Sequence, residues 1–184
     1  MKTAFVLGSA NGVHQEYQQA KRLVTPDAVL AVNDMIERFN GPLFAAVSFH
    51  GEKIDGWLNA RQRCGYESPE HVVIAKEWED WYQGVTPKWQ RKPRVFRQYF
   101  PGQVESGSSG LFAVKAALVN FKFDRVICCG MPMDHHAGYI HRPGRAWYSA
   151  LRHRKGWEEA LPHLKGRVFS MSGWTSRLLG KPEG

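Results

Sequence analysis

Short apolar runs, each ending in small or polar residues, constrain the fold of this chain more than any other feature. Thr3 to Leu7 runs into Gly8-Ser9-Ala10-Asn11-Gly12 and then a helical pattern to Leu23. Ala28 to Val32 ends in Asn33-Asp34, and Leu43 to Ser48 ends in Phe49-His50-Gly51 before a helical pattern over Glu52 to Arg63. His71 to Ala75 is a further run. Runs of this kind suit strands buried on both faces, as in parallel sheets. Strands alternating with helices predict a three-layer Rossmann-like α/β fold, a mostly parallel sheet with helices on both faces. Residues 1–184 are expected to form a single nucleotide-binding-like domain.

The stretch from Glu105 to His136 organises the second half. Ser106-Gly107-Ser108-Ser109-Gly110 is a loop of small residues. Leu111 to Asn120 has helical spacing, with Leu111, Val114, Ala117, Leu118 and Phe121 on one face. Arg125 to Cys129 is a buried strand, and Gly130-Met131-Pro132-Met133-Asp134 leaves it and delivers an acid and two histidines. After a polar loop at residues 135–146, Trp147 to Leu161 is expected to be helical, Arg167 to Ser170 a last strand, and Arg177-Leu178-Leu179 part of a final helical piece. Residues 76–104 lose regular alternation, and Thr86-Pro87 and Lys92-Pro93 break helices there. This segment reads as an insertion or lid whose aromatic and basic residues either stack on bases or sugars or pack the lid on the core.

The formal net charge is +8. Such a field favours anionic partners, a nucleotide first and nucleic acid as the alternative. Lys88, Arg91, Lys92, Arg94 and Arg97 form one basic cluster. No run approaches a membrane span. The chain has three cysteines, Cys64, Cys128 and Cys129. Neighbours in a strand point to opposite faces, so Cys128 and Cys129 are expected to stay unpaired, in keeping with reduced thiols and a cytoplasmic setting.

Polar groups at the C-terminal ends of parallel strands, and helix N-termini with their free N–H groups, are where such folds hold ligands. Candidate nucleotide contacts are therefore Gly8, Ser9, Asn11, Asn33, Ser108, Ser109 and Gly110, with Arg142 and Arg145 to neutralise charge on a leaving nucleotide. The first loop is neither G-x-G-x-x-G nor a Walker sequence. Asp134, His135, His136 and His141 are candidates for acid–base work. The alternatives are a polar surface loop or a metal set, but the spacing D-H-H-x4-H matches no justified metal motif and no metal is assigned.

Taken together these segments resemble the bacterial sialyltransferase-like proteins and their phage and bacterial relatives of Rossmann-like fold, which include a hydroxymethylpterin pyrophosphokinase group. The resemblance rests on Phe5-Val6-Leu7-Gly8-Ser9-Ala10-Asn11-Gly12, Leu30-Ala31-Val32-Asn33, Ser109-Gly110, the strand ending Gly130-Met131-Pro132-Met133-Asp134, His141, and Val168-Phe169-Ser170 through Leu179. Ala10-Asn11-Gly12 stands where that family has Pro-Ser-Leu. The resemblance implies a glycosyltransferase-like protein that moves a group from a nucleotide or nucleotide-sugar donor to a hydroxyl acceptor. It implies nucleotide contacts at Ser9, Asn11, Asn33, Ser109 and Gly110, and a base at His141. A non-catalytic binder of a nucleotide or phosphorylated signal, and a nucleic-acid-binding protein, are the alternatives.

Overall fold

The computed structural model describes residues 1–77, 92–140 and 145–183. The strands are β1 Thr3–Leu7, β2 Ala28–Val32, β3 Ala45–Ser48, β4 His71–Ala75, β5 Arg94–Phe96, β6 Arg125–Cys129 and β7 Val168–Ser170. They form one seven-stranded sheet in the order β5-β4-β3-β2-β1-β6-β7. Every pairing is parallel, with Phe5 opposite Val29 on one side and Ile127 on the other. The helices are α1 Val13–Leu23, α2 Met35–Arg38, α3 Gly51–Arg63, α4 Ser108–Lys115, α5 Ala150–Leu164 and α6 Gly173–Leu179.

The central strands β1, β2 and β3 are buried along their whole length because both faces of the sheet are covered there. Ala4, Val6, Leu30, Val32, Val47 and Cys128 face α4 and the Trp157, Ala160 and Leu164 side of α5. Phe5, Leu7, Val29, Ala31, Ile127 and Cys129 face Val13 of α1, Met35 of α2, and Ile54 and Leu58 of α3. This is the expected three-layer fold. Cys128 and Cys129 lie on opposite faces, and all three thiols are free. Burial pushes both strand thiols well above the usual range, so they pack as small apolar groups.

Several boundaries differ from the expected ones. Strand β3 starts at Ala45 rather than Leu43. Helix α2 has four residues, too few for a 3.6-residue period to register. The expected helix to Asn120 is α-helical only to Lys115 and closes as a π-helical turn over Ala116–Asn120, with the Phe121 N–H donating to Ala116 O. Helix α5 starts at Ala150 rather than Trp147, after a turn in which the Ala150 N–H donates to the Trp147 carbonyl at 3.1 Å, while the Trp147 N–H donates to the carbonyl of His135 at 2.7 Å. Within the segment expected to be a lid, Arg94–Phe96 instead adds the edge strand β5 to β4. Pro93 just before it fits an edge position. Trp78, Trp81, Tyr82, Lys88, Trp89 and Arg91 lie outside the described residues. No described helix is long and apolar enough to cross a membrane.

Candidate functional site

The chain leaves β1 toward β2 on one side, and β6 lies on the other. The loops after β1 and β6 therefore diverge above the sheet edge, which is where open α/β sheets bind ligands. A cleft opens there. Its floor is Gly8, Ser9 and Ala10 after β1 and Gly130, Met131 and Met133 after β6. Asn33 closes the β2 side, Ser108, Ser109 and Gly110 bring in the start of α4, and Tyr139 and Trp147 supply two aromatic rings.

The floor depends on two glycines meeting. A Cβ on Gly8 would stand 2.3 Å from Met131 Cγ and 2.5 Å from the Gly130 carbonyl oxygen. A Cβ on Gly130, at φ +68°, would stand 2.6 Å from the Gly8 oxygen. Backbone bonds tie the loops, Gly8 N–H to Cys129 O at 2.8 Å and Ala10 N–H to Gly130 O at 3.1 Å. The carboxylate of Glu16 on α1 accepts the Gly130 N–H at 2.7 Å.

Backbone strain gathers at the same place. Asn33, Ser108 and Met133 have φ of 55°, 76° and 50°, a region L-residues seldom adopt. Such conformations persist where the surroundings over-determine them, and they concentrate at ligand sites. Around Asn33 those surroundings are visible. The Ser48 hydroxyl donates to Asn33 Oδ1 at 2.7 Å and accepts the His50 N–H at 2.9 Å. The bond to Ser48 fixes the Asn33 side chain at the wall of the cleft. Ser9 Oγ donates to Asp34 Oδ1, and Arg38 pairs with the other carboxylate oxygen at 3.1 Å.

At the start of α4, the Ser108 N–H donates to Ser106 Oγ and the Gly110 N–H to Ser108 Oγ, each at 3.3 Å. Both bonds are long, and an anionic oxygen is a stronger acceptor for the same N–H groups. Ser109 Oγ accepts the Phe49 N–H at 3.3 Å and so links α4 to the end of β3.

Helix α5 holds this loop from behind. Trp157 Nε1 donates to Gly107 O at 2.8 Å, and a His153 ring nitrogen lies 3.1 Å from Ser106 O. Glu159 accepts the Val104 and Glu105 N–H groups at 2.8 Å each. Gly156 lets the two backbones touch, since a Cβ there would lie 2.4 Å from Glu105 O and 2.5 Å from Gly107 N.

Burial lowers the His153 pKa from 6.5, the Ser106 carbonyl opposes this, and the Arg152 charge adds to the lowering. The unfolded chain therefore takes up this proton at higher pH than the folded one. The contribution of His153 to stability is complete above pH 6.5 and is lost as pH falls through the folded value. Glu159 is lowered from 4.5, first by the Glu105 and Val104 N–H groups, so its contribution is lost at still lower pH. Denaturation curves are expected to show a stability decline below pH 6.5 that is shallower in His153→Gln; identical declines would remove His153 as its source.

The structure brings together Gly8, Ser9, Asn33, Ser108, Ser109 and Gly110 from the expected set. Asn11 is exposed, its N–H on the Gly138 carbonyl at 3.3 Å, and it does not line the cleft. Arg145 is exposed and outside the lining. His141 and Arg142 lie outside the described residues. Asp134 pairs with Arg154 at 2.9 Å and Arg177 at 3.3 Å, and accepts the Trp174 N–H at 3.1 Å. These bonds fasten α5 and α6 to the β6 loop. The rings of His135 and His136 pack edge to face, 4.9 Å between centroids, with Tyr148 against His135 at 4.7 Å, and neither histidine lines the cleft. No group of three or more His, Cys, Asp or Glu among the described residues is placed to hold a metal. Met131, Met133, Tyr139 and Trp147 line the cleft without having been expected to. The aromatic pair flanking the histidine loop was the signal available for the last two.

The chain matches no family model, no curated protein and no solved structure.

Proposed function

We propose that the protein binds a nucleotide in the cleft between the β1 and β6 loops and acts as a glycosyltransferase-like protein, moving a group from that donor to a hydroxyl acceptor. The observation that carries this is the convergence of the α4 N-terminus, the close-packed Gly8–Gly130 floor and the Asn33 amide on one cleft at the point where strand order reverses. The phosphate lies at Ser108–Gly110, where N–H groups and the helix dipole favour negative charge. Asn33 donates to the sugar or phosphate, and Tyr139 and Trp147 offer faces on which a base stacks. The resemblance to sialyltransferase-like proteins supports a cytidine nucleotide and His141 as the base that takes the acceptor's proton.

The lining favours one second reading. Among the described residues it holds no carboxylate, histidine or lysine. A binding protein that sequesters a nucleotide needs nothing more than that.

One experiment separates the two. Nucleoside mono- and diphosphates are screened for thermal stabilisation, where a ligand at about a hundred times its Kd adds about 2.7 kcal/mol. A cytidine nucleotide is expected to stabilise the protein without divalent metal, and no response to any nucleotide would sink both readings. His141→Ala is then expected to keep nucleotide binding and to lose group transfer from a nucleotide sugar. Binding without transfer by the unaltered protein, across donors and acceptors, would leave the sequestering reading.

A further inference from the structure

Among the described residues no charged side chain lines the cleft, although the protein carries a net charge of +8. An anion at Ser108–Gly110 therefore takes its balancing charge from groups behind the lining. The first two turns of α5 stand behind that loop, and their permanent cations are engaged elsewhere. Arg154 pairs with Asp134 at 2.9 Å and Lys155 with Glu105 at 3.2 Å, while Arg152 is exposed. Glu159, one turn further on, is held by the Val104 and Glu105 N–H groups. His153 is the group that meets the loop and whose charge changes near neutral pH.

His153 stands between two walls of the cleft. On one side its Nδ1 lies 3.1 Å from Ser106 O, two residues before the anion seat. A carbonyl only accepts, so Nδ1 carries the proton of the neutral ring and a second proton goes to Nε2. On the other side its ring packs on that of Trp147, 6.0 Å between centroids, and Trp147 lines the cleft. A charged donor makes a hydrogen bond roughly twice as strong as a neutral one, so the imidazolium holds Ser106 more firmly. It also places a positive charge behind the seat, in partly buried surroundings where charges act more strongly than in water.

We propose that His153 is a pH-sensitive positioning residue, whose imidazolium form steadies the Ser106–Gly110 loop and raises the affinity of the cleft for an anion. This rests on the nucleotide reading for the identity of the anion, but not for the coupling. The coupling is reciprocal, so a bound anion favours the proton as much as the proton favours the anion. Burial keeps the ring of the free protein neutral at pH 7, with its pKa below 6.5. Affinity therefore rises as pH falls through the higher value of the complex, and levels off below the value of the free protein.

The test uses inorganic sulfate, which stays divalent from about pH 5 to about pH 8, against sodium chloride at equal ionic strength. The ring signals of His153, assigned by correlation to the backbone, are followed by NMR through that range in each salt. Sulfate is expected to shift the Ser108–Gly110 amides and to raise the His153 midpoint by an amount equal to a roughly tenfold gain in affinity for the charged ring. In His153→Asn, which keeps an N–H near the Nδ1 position but does not titrate, sulfate affinity is expected to lose its pH dependence over this range. A midpoint equal in the two salts overturns the coupling, whether or not that variant folds and whatever nucleotides do. Sulfate that leaves the Ser108–Gly110 amides unmoved overturns it as well. A raised midpoint in a protein that no nucleotide stabilises upholds the coupling and sinks the nucleotide reading.

Discussion

Replacing Arg61 with alanine is expected to cost about 3–5 kcal/mol of folding stability, because several backbone carbonyls lose their donor at once. Arg61 is 1% exposed. Its guanidinium donates from Nε to Glu67 O, from Nη1 to Ile36 O and Phe39 O, and from Nη2 to Gly41 O. Those carbonyls belong to the end of α2, the turn toward β3, and the segment after α3. One planar fork thus stands in for the backbone bonds that this irregular stretch cannot make for itself. Alanine leaves the acceptors without it, at about 1–3 kcal/mol for each that stays buried and unsatisfied. Lysine keeps the charge but cannot reach several acceptors in a plane, so Arg61→Lys is expected to recover only part of the loss. Urea denaturation decides this through a lowered midpoint at an unchanged slope. A loss under about 1 kcal/mol would mean that water or a neighbouring group takes over the carbonyls.

Trp157→Ala is the second large effect, about 3–5 kcal/mol, with a functional consequence attached. The indole is fully buried against the sheet face that α4 covers, and its Nε1 holds the Gly107 carbonyl at 2.8 Å. Removing the ring opens a cavity and releases the loop that starts α4. Trp157→Phe separates the two roles. It keeps most of the packing but leaves the Gly107 carbonyl without its donor, a change of about 1–3 kcal/mol before the cost of the cavity left by the smaller ring. If the bond positions the α4 N-terminus, nucleotide stabilisation falls in Trp157→Phe by more than its loss of stability explains. Equal nucleotide stabilisation in Trp157→Phe and the unaltered protein would make the bond a packing detail.

The elements that were legible beforehand are those whose signal is local. The apolar runs at β1, β2, β4 and β6 need no partner to be recognised, because strands buried on both faces are apolar throughout. That Gly8, Ser9, Asn33 and Ser108–Gly110 come together at one sheet edge was legible because strand C-termini and helix N-termini place polar groups in known directions. Strand β5 was not, since three residues beside a proline carry no period and only the exposed edge of β4 makes them a strand. The helix start at Ala150 was misplaced because Trp147 fits the helical pattern, while the chain makes a separate turn from Trp147 to Ala150 before the helix begins.

The sequence by itself determined the layered α/β architecture, the order of its parts and the polar groups at the strand ends, since these follow from residue type and spacing along the chain. Only the tertiary structure decided how those groups are used. It committed Asp134 to Arg154, Arg177 and the start of α6 rather than to a cleft, left Asn11 and Arg145 outside the lining, and brought in Tyr139, Trp147 and the methionines of the β6 loop. It also set α5 behind the Ser106–Gly110 loop. The physical reason is range. Period and composition report what each segment needs to bury, whereas the partner of a carboxylate or a carbonyl is chosen among groups tens of residues away, once packing has set the distances.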